Sequence, residues 1–70
     1  MYTPEQARLL SGITATSMAE ALGVSVSTLR AKEQGLSEFS VREAKLFTEM
    51  TSIPAEDIDF LCFDRSRGRT

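Results

Sequence analysis

Apolar residues are spaced along this chain in short groups at helical intervals, and most groups are bracketed by a hydroxyl residue before them and a break after them. Met18, Ala19 and Leu22 share one face of a run that opens at Thr14 and stops at Gly23. Val26, Leu29 and Ala31 mark a run capped by Ser25 and stopped by Gly35. Val41, Ala44, Phe47 and Met50 recur through a run opened by Ser40-Val41-Arg42-Glu43, in which the Ser hydroxyl and the Glu carboxylate can each accept a backbone N–H at the helix start. Ahead of these, Thr3-Pro4-Glu5-Gln6 starts a helix expected over Pro4 to Ser11, with Gly12 as its left-handed stop. After them, Pro54 at a first helical position opens a last turn or two through Ala55, Glu56, Asp57 and Ile58, whose acidic residues suit the positive end of a helix.

The pattern therefore predicts five short helices, the fourth over 41–51. Met18, Ala19, Leu22, Val24, Leu29 and Phe47 form the expected core, closed by Ile53, Ile58 and Leu61. Only Ile58 to Phe63 alternates as a strand does, and it reads as a helix end followed by an extended tail.

Length and composition narrow the class. Seventy residues make one small domain, expected over 1–64. A flexible tail is expected over 65–70, where Arg65, Arg67, Arg69 and Gly68 leave nothing to pack. No apolar run approaches the roughly 20 residues that cross a bilayer, and no basic-then-apolar leader follows Met1. Cys62 is the only cysteine and there is no histidine, so neither an internal disulfide nor the usual zinc ligand set can form. The expectation is a reduced, cytoplasmic chain without metal or cofactor. With no Gly-rich phosphate loop, no Ser-His-Asp set and no Gly-x-Ser-x-Gly turn, it reads as a binding module rather than an enzyme.

The second and third runs, joined by Gly23-Val24-Ser25, have the layout of a helix-turn-helix. Ile13-Thr14, Met18-Ala19, Leu22-Gly23-Val24-Ser25, Ser27-Thr28-Leu29 and Glu33-Gln34-Gly35 stand in the order and spacing of lambda-repressor-like, Cro/CI-type (XRE) domains. The chain resembles that family over about residues 6 to 62, and Phe60-Leu61 after Ile53-Pro54 is similar to the ending of small phage regulators of this type. The resemblance implies a compact all-α domain of five helices, with double-stranded operator DNA as partner and the third helix in the major groove. It implies that Ser25, Val26, Ser27, Thr28, Arg30, Ala31 and Lys32 read bases or grip nearby phosphates, while Thr14, Ala15 and Thr16 face the backbone. The chemistry fits in part: Ser and Thr hydroxyls donate or accept, Val26 suits a thymine methyl, and Arg30 reaches guanine or phosphate.

Each of these residues also has a plainer role. Ser25 is an N-cap whatever it touches. Arg30 and Lys32 are either contacts or solvated surface, Glu33 looks structural in this family, and the arginine tail is either an arm over phosphates or a plain end. Ala15 stands where the family usually carries Gln or a similar polar group, and it cannot bridge to phosphate. Lys32 stands where the family is usually apolar or aromatic, so its stem is expected on the core and its ammonium in water. The loop Leu36-Ser37-Glu38-Phe39 has no cation where relatives commonly hold the backbone. Residues 1–64 carry five basic and ten acidic side chains, a balance of minus five, and the tail brings the total to minus two. That is a poor footprint for phosphate unless Arg8, Arg30, Lys32, Arg42 and Lys45 gather on one face.

A second reading therefore stands beside the first. It is an antirepressor, similar to phage modulators of repression, that covers a phage repressor's DNA-binding domain. Val26, Ser27, Arg30, Ala31, Leu36, Glu38 and Phe39 would make the contact, and Glu20, Glu33 and Glu38 would meet the repressor's basic residues. Phe39 either anchors such an interface or folds back as a staple on the fourth helix. The oligomeric state is open between monomer and weak homodimer, with Ile58 to Phe63 as the candidate seam.

Overall fold

The computed structural model describes residues 1–60. Its elements are α1 (Pro4–Leu10), α2 (Ala15–Leu22), α3 (Val26–Glu33), α4 (Val41–Thr51) and a single 3-10 turn (Ala55–Asp57). Each α-helix starts at a Ser or Thr in extended backbone whose side-chain oxygen accepts the N–H three residues on. Thr3 takes it from Gln6, Thr14 from Ser17, Ser25 from Thr28 and Ser40 from Glu43. The hydroxyl supplies one acceptor to the donors that a helix start leaves without partners, which is why these short runs hold their register.

Gly23 adopts φ +76, a left-handed conformation that ends α2 and lets the Val24 N–H close on the Ala19 carbonyl at 3.0 Å. The chain then re-enters extended geometry at Ser25 and starts α3. The turn between α2 and α3 is thus set by one glycine and one cap.

The class is all-α, as expected, but the fifth helix is a correction: Ala55–Asp57 makes one 3-10 turn and no more. Pro54 precedes it without any side-chain cap bond. The backbone after it is drawn out instead, with Tyr2 N–H donating to Asp57 O at 2.8 Å and Asp59 N–H donating to Tyr2 O at 2.7 Å. Ile58, extended at φ −116 and ψ 128, forms an isolated parallel bridge with Tyr2. Backbone hydrogen bonds to the N-terminal segment therefore outcompete another helical turn. Helix α1 also stops one residue early, with Ser11 as its C-cap.

Ala7, Met18, Ala19, Leu22, Leu29, Phe47, Ile58 and Phe60 form the core, and Ile53 and Val24 pack against it. Helix α2 packs on both α3 and α4. Leu61 lies outside the described residues, as do the tail and the second half of the Ile58 to Phe63 segment. On α4 the expected apolar face is partly wrong: Val41 is 88% exposed and Met50 37%. Phe47 and Thr51 are buried and Ala44 and Leu46 half-buried, so the inward stripe is displaced around the helix from the one that spacing of apolar residues suggested.

Candidate nucleic-acid interface

The orientation of α3 is fixed by two ion pairs at its C-terminal end. Arg8 of α1 grips Glu33 with both arms of its guanidinium, Nε donating to Oε2 at 2.7 Å and Nη2 to Oε1 at 3.2 Å, while Nη1 donates to the Ile13 carbonyl at 3.0 Å. Both side chains are more than nine-tenths buried. Glu33 is thus structural, as the family resemblance implied, and one arginine ties α1, the entry to α2 and the end of α3 together.

The second pair corrects an expectation. The Lys32 ammonium does not escape to water; it lies 3.0 Å from Glu43 Oε1 and donates to the Glu38 carbonyl at 2.8 Å. The loop after α3 folds back over it and supplies the acceptor, so a stem that has to lie on the core finds polar partners there for its tip. Burial pushes the Glu43 carboxyl up, but the Ser40 N–H, the hydrogen bond and charge of Lys32 and the Ser40 hydroxyl outweigh it and hold Glu43 below the ordinary carboxylate value. The imagined cluster of five cations is therefore dispersed. Arg8 and Lys32 are spent inside, and Arg30, Arg42 and Lys45 remain exposed.

On α3, Ser27, Ala31 and Gln34 recur at i, i+4 and i+7 opposite the buried Leu29, Lys32 and Glu33. Ser27 and Gln34 are exposed and Ala31 half-buried. Thr28 and Arg30 flank that ridge, and Arg30 lines a shallow polar recess with Glu5 and Gln34 above the Arg8–Glu33 pair. Val26 is half-buried and packs on the core, which leaves it less to offer a thymine methyl than the sequence suggested. Ala15 packs on the core in the same way. Thr14, Thr16 and Ser25 are exposed at the helix starts. Gln34 is the residue that sequence reasoning passed over, although its i+7 spacing from Ser27 was there to be read.

Phe39 is a further correction to the protein-binding list. Its ring meets Phe60 at 5.1 Å and Phe47 at 5.6 Å between centroids, both edge to face, and Phe47 meets Phe60 at 5.5 Å. It staples the entry of α4, as the alternative reading had it, but onto these two aromatic rings. Leu36, by contrast, is 77% exposed.

The N-termini of α2 and α3 share a device that α1 and α4 lack. In α1 and α4 the third helical residue, Gln6 or Glu43, reaches back to the N–H of Thr3 or Ser40, at 3.0 and 2.9 Å. In α2 and α3 that residue is Ser17 or Thr28, too short to do so, and it instead accepts the cap hydroxyl's proton at 3.0 Å in each case. Among the described residues, the Thr14 and Ser25 N–H groups have no acceptor, and the first turns of α2 and α3 contain no acidic residue. Both helix starts are therefore exposed and uncharged, with a cap N–H that no described residue accepts.

Such a pair of helices, the second presented across a tight turn, defines a helix-turn-helix domain. The model of a helix-turn-helix family, the lambda-repressor-like Cro/CI (XRE) type, matches residues 5–58, and the chain belongs to that family of DNA-binding transcriptional regulators. No curated protein and no solved structure matches the chain. Among the described residues, no helix is long and apolar enough to cross a membrane.

Proposed function

We propose that the chain is a phage-type regulator that binds operator DNA, with α3 in the major groove and the start of α2 against the backbone. The observation that carries this reading is the pair of acid-free helix starts, each with an unspent cap N–H, in a chain whose first 64 residues are otherwise acidic. A phosphate oxygen is the acceptor such donors suit. In this reading Ser27, Thr28 and Gln34 meet base edges or sugar-phosphate, Arg30 reaches across the flank, and Thr14, Thr16 and Ser25 hold phosphates. Lys32 is no longer among the contacts, because its ammonium is engaged inside. Two copies on a two-fold operator would set their α3 helices about 34 Å apart.

The test is a gel-shift series against the promoter next to the chain's own gene, run over a range of salt. Arg30→Ala is expected to weaken binding and to lower the slope of log affinity against log salt by about one unit. An operator affinity unchanged by Arg30→Ala and Ser27→Ala together removes α3 as the reader.

One observation favours the antirepressor reading: the loop beside α3 holds no cation and exposes Leu36. Its interface would rest on Leu36, Ala31, Ser27, Arg30 and Glu38 and not on Phe39, whose ring is engaged inside. Adding the neighbouring repressor to the same gel-shift distinguishes the two. Loss of the repressor's own shifted band on addition of this chain, with no band from this chain alone, supports the antirepressor.

A further inference from the structure

We infer that Lys32 is a positioning residue, which holds the Leu36–Phe39 loop against the end of α3 and so sets the edge of the proposed DNA-facing surface. The functional consequence rests on the reading above; the positioning itself does not. Three elements converge on its ammonium. Lys32 belongs to the last turn of α3, the Glu38 carbonyl that it holds at 2.8 Å is in the loop, and Glu43, at 3.0 Å, belongs to the first turn of α4.

The Glu43 oxygen that meets Lys32, Oε1, is the same atom that accepts the Ser40 N–H at 2.9 Å. Cap and ion pair therefore share one acceptor: the Ser40 N–H holds the Glu43 carboxylate in place at the start of α4, and a shift of that start relative to α3 breaks the pair with Lys32. The loop's ends are fixed by its own backbone and rings: Leu36 N–H donates to Ala31 O at 2.9 Å, and the Phe39 ring sits on Phe47 and Phe60. Between those ends, a hydrogen bond from Lys32 ties the middle of the loop, at the Glu38 carbonyl, back to α3. The tie decides where the exposed Ser37 and Glu38 stand beside the ridge of Ser27, Ala31 and Gln34.

A lysine that served only to cover the core with its stem would be replaceable by methionine. The experiment compares wild type with Lys32→Met by backbone relaxation and by NMR titration of the Glu43 carboxyl, both without DNA. Lys32→Met is expected to lower the order parameters of Ser37 and Glu38 from the rigid range, about 0.85, toward 0.6, and to raise the Glu43 titration midpoint. Should Lys32→Met fail to fold, Glu43→Gln serves instead. Gln6 already performs the same cap in α1, so this change keeps the Ser40 bond while removing the charge that Lys32 meets; it is expected to lower the same order parameters.

A loop as rigid in the folded variant, whichever of the two it is, as in wild type overturns the proposal. The same variants are then tested on a mixed-sequence 20-base-pair duplex at low salt, where a threefold to tenfold loss is expected. A wild-type chain that binds no duplex, operator or mixed, defeats the DNA reading and leaves the positioning role to the two NMR measurements.

Discussion

Two pairs of helix starts use the same hydroxyl cap to opposite ends. At α1 and α4 the cap is closed into a ring by Gln6 or Glu43, so the backbone N–H of Thr3 or Ser40 is consumed within the fold. At α2 and α3 a second hydroxyl stands at that position, the ring stays open, and no described residue accepts the cap N–H. The helices with closed boxes also carry a carboxylate in the first turn, Glu5 beside the box of α1 and Glu43 within that of α4, where a negative charge favours the positive helix terminus. The open caps forgo that stabilisation. A carboxylate at the start of α2 or α3 would serve the helix and repel a phosphate, so under the proposed function the difference separates helix starts that serve stability alone from those that face a ligand.

Both pairs depend on the same core, and the largest expected effect breaks them together. Leu29 and Phe47 are fully buried, and Leu29→Ala or Phe47→Ala is expected to cost about 2 to 5 kcal/mol in urea melts. A variant within about 0.5 kcal/mol of the parent would contradict the idea that α3 and α4 are held by one core.

The sharpest test converts one type of cap into the other. Thr28→Glu should close the box at α3 and stabilise the fold by about 0.3 to 1 kcal/mol, while weakening duplex binding about tenfold at low salt. A gain in melting temperature with unchanged duplex affinity would mean that the open cap is not facing phosphate.

Removing the hydroxyls is expected to do less. Ser25→Ala and Ser40→Ala should each lose about 1 kcal/mol. Only Ser25→Ala should also reduce duplex affinity, and an equal effect of the two on binding would erase the distinction between the caps.

The smallest effect is one of pH. Because Glu43 is held below its ordinary carboxylate value in the fold, its contribution is present above the value of an unfolded glutamate, about 4.3. It is lost as pH falls from there through the folded value. Glu43→Gln should flatten that part of the stability profile, and denaturation midpoints between about pH 5 and 3 will show whether it does.

Much of this molecule was legible because it is written locally. A hydroxyl three residues before a matching partner, a glycine after the last apolar position and an i, i+4 spacing act within one turn of chain, and they set the bounds of α2, α3 and α4 and the turn between the first two of these. Glu33 was readable as structural through the family pattern alone, while its partner Arg8 was not, because the two lie 25 residues apart and only packing brings them within 2.7 Å. The same limit explains the misreadings. Val41 has the right spacing for the core, but the rotation of α4 is set by Phe47 and by the Phe39 ring that docks from outside the helix. Lys32 was expected to reach water, since nothing nearby in sequence reveals that the loop's own carbonyl and a carboxylate eleven residues on will cover it. The last helix failed because its competitor, the Tyr2 backbone, comes from the other end of the chain. Short-range hydrogen bonds and periodicity are properties of sequence, and they determined the elements, while the order of motifs such as Leu22-Gly23-Val24-Ser25 carried the family resemblance. Burial, charge pairing and the facing of each helix depend on which distant groups desolvate one another, and those only the tertiary structure decided.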